Sequence, residues 1–216
     1  DDVGMATTTD VLLGLQWILA NQAKYNIRVV NLSLNSSVAA SYLNDPLCAA
    51  VELLWLRGIV VVVSAGNNGT STLYPPANDP FVLTVGATDD AGTATTDDDT
   101  VAAFSGYGVT ELGQPKPDLV APGRNIIGYL PTNGILSMPQ DHSDHRINDS
   151  YFRMSGTSVS APMVTGAVAL LLQDEPSLNP DQVKYRLLST ANKNWPGYDL
   201  ERAGAGYVDV YAAVYG

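Results

Sequence analysis

Two hydrophobic rhythms alternate along the chain. In TTTDVLLGLQWILANQ the apolar positions recur at three- and four-residue intervals behind a start rich in threonine and aspartate, which predicts a capped amphipathic helix. RVVNLSL reads as a strand of mixed apolar and polar residues. DPLCAAVELLWLRG returns to helical spacing, with Asp45 as N-cap, Pro46 in the first turn and Gly58 at the exit. GIVVVVSAG is a valine run bounded by glycines, the pattern of a strand buried on both faces, and FVLTVGAT is a second such strand. Farther on, DLVAPG reads as a short extended piece, and NIIGYL and YFRM as strands. Residues 157–173 read as a helix, and NPDQVKYRLLSTA as another, capped by Asn179. This alternation implies an α/β fold, a mostly parallel sheet with helices on both faces. The longest predicted loop, residues 131–149, is expected to flank a functional site.

Length and charge narrow the classes. At 216 residues the chain fits one domain, 1–216, with a sizeable core. It holds no apolar run approaching the ~18 residues of a membrane span, so no membrane partner is expected. The 22 acidic against 11 basic residues give a net charge of −11, which weighs against a nucleic-acid partner, since phosphate binding needs clustered Lys and Arg. The single cysteine, Cys48, has no partner for an internal disulfide and reads as packing. The chain begins Asp-Asp without a signal-peptide pattern, so the expectation is a processed, excised or truncated product.

The chemistry concentrates in MSGTSVSAPM, residues 154–163. Serine and threonine at a helix start are ordinarily caps, and for an arbitrary Gly-Thr-Ser that is the better reading. Here small residues, Ser155 to Ser158, precede a helix that is apolar almost all round and therefore reads as buried. Pro162 is placed in its first turn, where a missing N–H costs little. A serine at such a helix start lies at the positive end of the helix dipole. A serine nucleophile also needs a base. No histidine follows Ser158, and the motif lacks the final glycine of G-x-S-x-G, which excludes the α/β-hydrolase order of serine, acid, histidine. An order with both partners upstream remains. The second signal is SAGNNG, residues 64–69, at the end of the valine strand, where an asparagine amide faces the crevice.

NLSLNSS, VVVVSAGNNG, VLTVGATDD, KPDLVAPG and SGTSVSAPMVTGAVALLL stand in the order and approximate spacing of the subtilisin-like serine peptidases, and the chain resembles that family over essentially its whole length. The resemblance implies that Ser158 is the nucleophile, and that Asn67 with the Ser158 backbone N–H forms the oxyanion hole. It implies that Ser33-Leu34-Asn35 and Ser64-Ala65-Gly66 wall the pocket for the side chain preceding the scissile bond. Gly4-Met5-Ala6 would be the edge that pairs with an extended polypeptide substrate. No cofactor is required, and no metal is assigned; the runs Asp89-Asp90 and Asp97-Asp98-Asp99 read as solvated loops, with calcium a family-level option for the complete domain. Secretion is likewise a family-level lean.

The family's Asp-x-Gly turn and His-Gly-Thr-His block are absent from this chain, so the reading is a carboxyl-terminal portion of a catalytic domain, with Asp and His upstream of Asp1 as its missing partner. By itself such a portion is expected to be almost inactive. His142 and His145, which precede Ser158 by 16 and 13 positions, read as part of a solvated loop rather than as a base or a metal site. Asn35 stands where the family usually has glycine and is expected to narrow or polarise the pocket; Met163 replaces a non-catalytic histidine. Two other readings stand beside the peptidase: a pseudoprotease or peptide-binding module, on the absent Asp and His, and a serine-carboxyl peptidase of the sedolisin type, which typically has aspartate at the place of Asn67.

Overall fold

The computed structural model describes residues 5–130 and 138–216; Gly4 and residues 131–137 of the predicted loop lie outside them. Elements alternate as the hydrophobic pattern requires: α1 (Thr8–Tyr25), β1 (Val29–Leu32), α2 (Pro46–Leu56), β2 (Val60–Ser64) and β3 (Leu83–Asp89). Short pieces follow: β4 (Thr100–Val101), β5 (Gly108–Val109), β6 (Pro115–Lys116), β7 (Leu119–Pro122), β8 (Ile126–Tyr129), α3 (Met138–Asp141) and β9 (Tyr151–Met154). The chain closes with α4 (Thr157–Asp174), α5 (Pro180–Thr190), α6 (Leu200–Ala203) and α7 (Val210–Tyr215). The caps fall where the sequence places them. Thr7 and Asp10 form a capping box on α1, Asp45 accepts the N–H of Leu47 and Cys48, and Asn179 caps α5 with Gln182 reaching back.

The main sheet runs β1-β2-β3-β7, all parallel, with Val29 beside Val60, Val62 beside Leu83 and Val85 beside Leu119. The two-residue β4 adds an antiparallel end to β3. β8 and β9 form a separate antiparallel pair that leads into α4. Every residue of β2 is buried, so the sheet is covered on both faces at its centre. α4 lies along β1, β2, β3 and β7, while α2 and α5 also pack on β2. One continuous apolar core extends from Leu15 to Ala213. Cys48 is fully buried with its thiol 3.6 Å from Asn78 Oδ1, and burial pushes that thiol well above the usual range, so it is inert packing.

Three expectations need correction. The α4 helix is not buried all round: Pro162, Met163, Gly166, Ala169 and Leu170 form an open stripe at three- and four-residue spacing, with Leu170 52% exposed. Apolar composition showed that this face is made for burial, but none of the described elements covers it. β1 agrees, because among the described residues its pairing is to β2 alone, which leaves the other edge of the strand open. Second, Pro162 lies beyond the first turn of a helix that begins at Thr157. Its absent N–H frees the Ser158 carbonyl, which instead accepts a hydrogen bond from Ser33 Oγ at 2.8 Å. Third, the run Asp97-Asp98-Asp99 is not wholly solvated, since Asp99 is buried. The short elements β4 to β6 and α6 and α7 carried no legible hydrophobic period.

Candidate active site

The carboxyl ends of β1 and β2 and the start of α4 converge, the usual place for a site on a parallel sheet. Ser158 is the second residue of α4 and is half-buried. The fold delivers it through Gly156, whose backbone (φ 154°, ψ 155°) is open to glycine and whose missing Cβ would stand 3.2 Å from Asn67 Nδ2. Close approach recurs one layer back. Gly106 donates its N–H to the Gly66 carbonyl at 2.8 Å, and a Cβ there would meet the Ala65 carbonyl at 2.7 Å.

The orientation of Asn67 is fixed by Thr157. Asn67 Oδ1 accepts the Thr157 N–H and the Thr157 hydroxyl, each at 2.9 Å. An oxygen that accepts two donors settles which end of the amide it is, so Nδ2 and its hydrogens face the other way. Thr157 Oγ also accepts the Gly66 N–H at 3.1 Å, which ties the end of β2 to the helix start. Val159 N–H goes to the Gly156 carbonyl. The Ser158 N–H, one of the first four of the helix, has no intrahelical acceptor. A donor amide, a free helix N–H and a hydroxyl therefore sit together.

Ser158 Oγ donates to the Ser33 carbonyl at 3.4 Å, a long contact, while Ser33 returns its hydroxyl to the Ser158 carbonyl. Asn35 bridges the two predicted pocket walls: its Nδ2 donates to the Ser64 carbonyl at 2.9 Å, and Ser64 Oγ donates to its Oδ1 at 3.2 Å. Gly66 faces the same amide, its absent Cβ 3.6 Å from Asn35 Oδ1. Leu34 and Asn35 also line a cavity of about 240 Å³ with Met5, Ala6, Val11 and Leu47. Of the predicted substrate edge, Met5 and Ala6 thus stand across a cleft from Leu34, while Gly4 lies outside the described residues. The two histidines make local contacts. His142 and His145 stack on each other with ring centroids 5.7 Å apart, His145 packs on Phe152, and its Nε2 is 3.6 Å from Asp144. Among the described residues no group of three or more His, Cys, Asp or Glu is placed to hold a metal ion.

Sequence reading missed Thr157 as a positioning residue. Its only signal was its place beside Ser158, where a cap reading sufficed. Thr157→Val keeps the shape and removes the hydroxyl that serves Gly66 and Asn67. We expect it to cost about 1–3 kcal/mol in denaturant unfolding. A fall of about tenfold in kcat, equivalent to roughly 1.4 kcal/mol, should accompany it as Asn67 loosens. Unchanged kcat with reduced stability would leave Thr157 a purely structural role.

A serine at a helix start beside a fixed amide donor, at the carboxyl ends of a parallel sheet, is the arrangement that a subtilisin-like resemblance leads one to expect. The chain belongs to the subtilase family, whose sequence model matches residues 3–206. It is similar to serine protease AprX of Bacillus subtilis (strain 168), 41% identical over 225 residues, which cover 99% of this chain and 49% of the relative. An extracellular serine proteinase of Thermus sp. (strain Rt41A) is 34% identical over 88% of this chain and 38% of its own length. Among solved structures, the self-cleaved protease domain of PatA superposes with a TM-score of 0.71 at 29% identity, over 99% of this chain and 69% of that one. The chain thus spans about half the length of AprX, or less in the Thermus enzyme.

Proposed function

We propose that the complete protein is a serine endopeptidase that hydrolyses polypeptides through an acyl-enzyme at Ser158. The observation that carries this is the amide of Asn67, locked by Thr157 with its donor end turned away, next to a helix-start serine. In the proposed reaction Ser158 Oγ bonds to the substrate carbonyl carbon and gives its proton to a base. The carbonyl oxygen becomes an oxyanion held by Asn67 Nδ2 and the Ser158 N–H. Collapse breaks the C–N bond, the base returns the proton to the leaving amine, and water then hydrolyses the ester by the same path. Base and orienting acid are a histidine and an aspartate supplied by a segment upstream of Asp1. What supports such a segment is the open stripe of α4, the free edge of β1 and the exposure of Asn67, which an oxyanion hole working in a dry site would not keep.

The substrate is an extended polypeptide laid between Met5-Ala6 and Leu34-Asn35, with its preceding side chain between the two walls that Asn35 bridges. Asn35 then limits that side chain to small size. Asn35→Gly should raise kcat/KM for a phenylalanine substrate, relative to its alanine counterpart, by at least about tenfold. An unaltered ratio would remove Asn35 from the pocket. Secretion is supported by the name of the Thermus relative, an extracellular enzyme. No described helix is long and apolar enough to cross a membrane.

The reading is tested by incubating the complete natural protein with unstructured polypeptides and following new amino termini. Turnover that a serine-directed phosphonate stops is the expected result. Peptide binding without turnover would instead assign a pseudoprotease, the reading favoured by a Ser158 hydroxyl bonded to a carbonyl rather than to a base.

A further inference from the structure

Behind Ser158, a chain of side-chain hydrogen bonds runs along the contact between β1 and α4. Thr165 Oγ1 donates to Asn31 Oδ1 at 3.1 Å, Asn31 Nδ2 donates to Ser33 Oγ at 2.9 Å, and Ser33 Oγ donates to the Ser158 carbonyl at 2.8 Å. The last bond fixes the direction of the others. The Ser158 carbonyl can only accept, so the Ser33 hydroxyl places its one proton there and must accept from Asn31. Asn31 therefore turns its amide nitrogen to Ser33 and its oxygen to Thr165, whose hydroxyl must donate.

Secondary structure brings these residues into line. Asn31 lies in β1 and Ser33 directly follows its last residue; side chains at that spacing share one face of an extended chain. Thr165 stands about two turns along α4 from Ser158. Its Oγ1 also reaches the Ala161 carbonyl at 3.0 Å, which anchors it to the helix that carries Ser158. The network thus leaves α4 at Thr165, crosses to β1 and returns to the start of the same helix. It returns at the carbonyl that Pro162 leaves without its helical donor. Ser33 also accepts the Ser158 hydroxyl on its own carbonyl at 3.4 Å. A displacement of Ser33 would therefore disturb Ser158 at both its carbonyl and its Oγ.

We propose that Thr165 and Asn31 are positioning residues for Ser158, acting through the Ser33 hydroxyl to fix where the serine stands at the helix start. The proposal rests on the acyl-enzyme reading above. Both residues act one or two bonds behind the reacting atom, so their loss leaves substrate binding in place. It shows instead in the step at which Ser158 Oγ meets the substrate carbonyl, where a small misplacement is costly.

The experiment uses the complete natural protein with four variants. Thr165→Val keeps the shape and removes the hydroxyl, Thr165→Ser restores it, Ser33→Ala removes the link to Ser158, and a double variant combines Thr165→Val with Ser33→Ala. Steady-state kinetics are measured on an unstructured polypeptide. Thr165→Val is expected to lower kcat about three- to tenfold with KM unchanged, and Thr165→Ser to return it to the wild-type value. In the Ser33→Ala background Thr165→Val should add nothing, because the bond through which it acts is already gone. A wild-type kcat for Thr165→Val, even with reduced thermal stability, would overturn the proposal. So would an equal loss in the Val and Ser variants, or the same fold-loss with and without Ser33. A wild type that turns over no substrate would defeat the peptidase reading, and amide hydrogen exchange over residues 157–159 then decides the positioning role. Faster exchange in Thr165→Val, with no further gain in the double variant over Ser33→Ala, sustains it; exchange identical to wild type overturns it.

Discussion

Ser158→Ala in the complete protein is expected to lower kcat by about 10⁶, the loss known for a subtilisin stripped of its nucleophilic serine, with KM little changed. The reason lies in what the hydroxyl does and does not hold in the fold. Ser158 Oγ makes one long contact, to the Ser33 carbonyl at 3.4 Å, whereas the helix start is secured by Thr157 and by the Ser158 carbonyl. Removing Oγ therefore deletes the bond-forming atom and leaves Asn67, both pocket walls and the cleft in place. The residual rate over water, about 10³–10⁴, should persist because it comes from binding and oxyanion stabilisation. Activity against a peptide amide substrate and direct peptide binding, measured on the same preparation, check both halves. Loss of binding together with rate would mean that the hydroxyl supports the site structurally.

Asn67→Ala should lower kcat by about 10²–10³, the cost found for the equivalent amide donor in a subtilisin, again with KM nearly constant. The ground-state carbonyl gains little from this donor, while the oxyanion gains a great deal, so the loss belongs to the transition state. The structure adds a condition. Asn67 is anchored through its oxygen, by two hydrogen bonds from Thr157. Asn67→Asp keeps those acceptors and replaces the donor with a negative charge aimed at the oxyanion; it should be at least as damaging as alanine. Single-turnover kinetics separate the acylation step from product release. An Asp variant as active as wild type, particularly at acid pH, would favour the serine-carboxyl chemistry over the oxyanion hole proposed above.

How much of this was legible in the sequence depended on the kind of force at work. The valine run of β2, the Asp45 and Asn179 caps and the helical spacing of α2 and α5 are local patterns, and each element formed where its pattern stood. The two-residue strands β4, β5 and β6 have no period to read and depend on tertiary contact alone. The open stripe on α4 inverted an inference: an apolar surface shows that burial is intended, not that the described elements supply the cover. At the candidate site, motif and order single out Ser158 and Asn67, and the structure brings them together; the contacts of Thr157 came only with geometry, because a hydroxyl that caps and a hydroxyl that orients a neighbouring amide look identical in sequence. Asn35 was flagged as a departure from glycine, and the structure supplies its action, a bridge between two walls. The four oxygens around the Lys184 ammonium were not legible, since they come from residues more than sixty positions before the lysine and three of them are backbone.

The central claim is that Ser158 becomes covalently attached to substrate. The direct measurement is to treat the complete natural protein with a fluorophosphonate, digest it and locate the adduct by peptide mass, with Ser158→Ala treated in parallel. The account predicts one stoichiometric adduct on the peptide containing SGTSVSAPM, located at Ser158, and none in the variant. Equal labelling of the variant, or an adduct mapped to another serine, would contradict it.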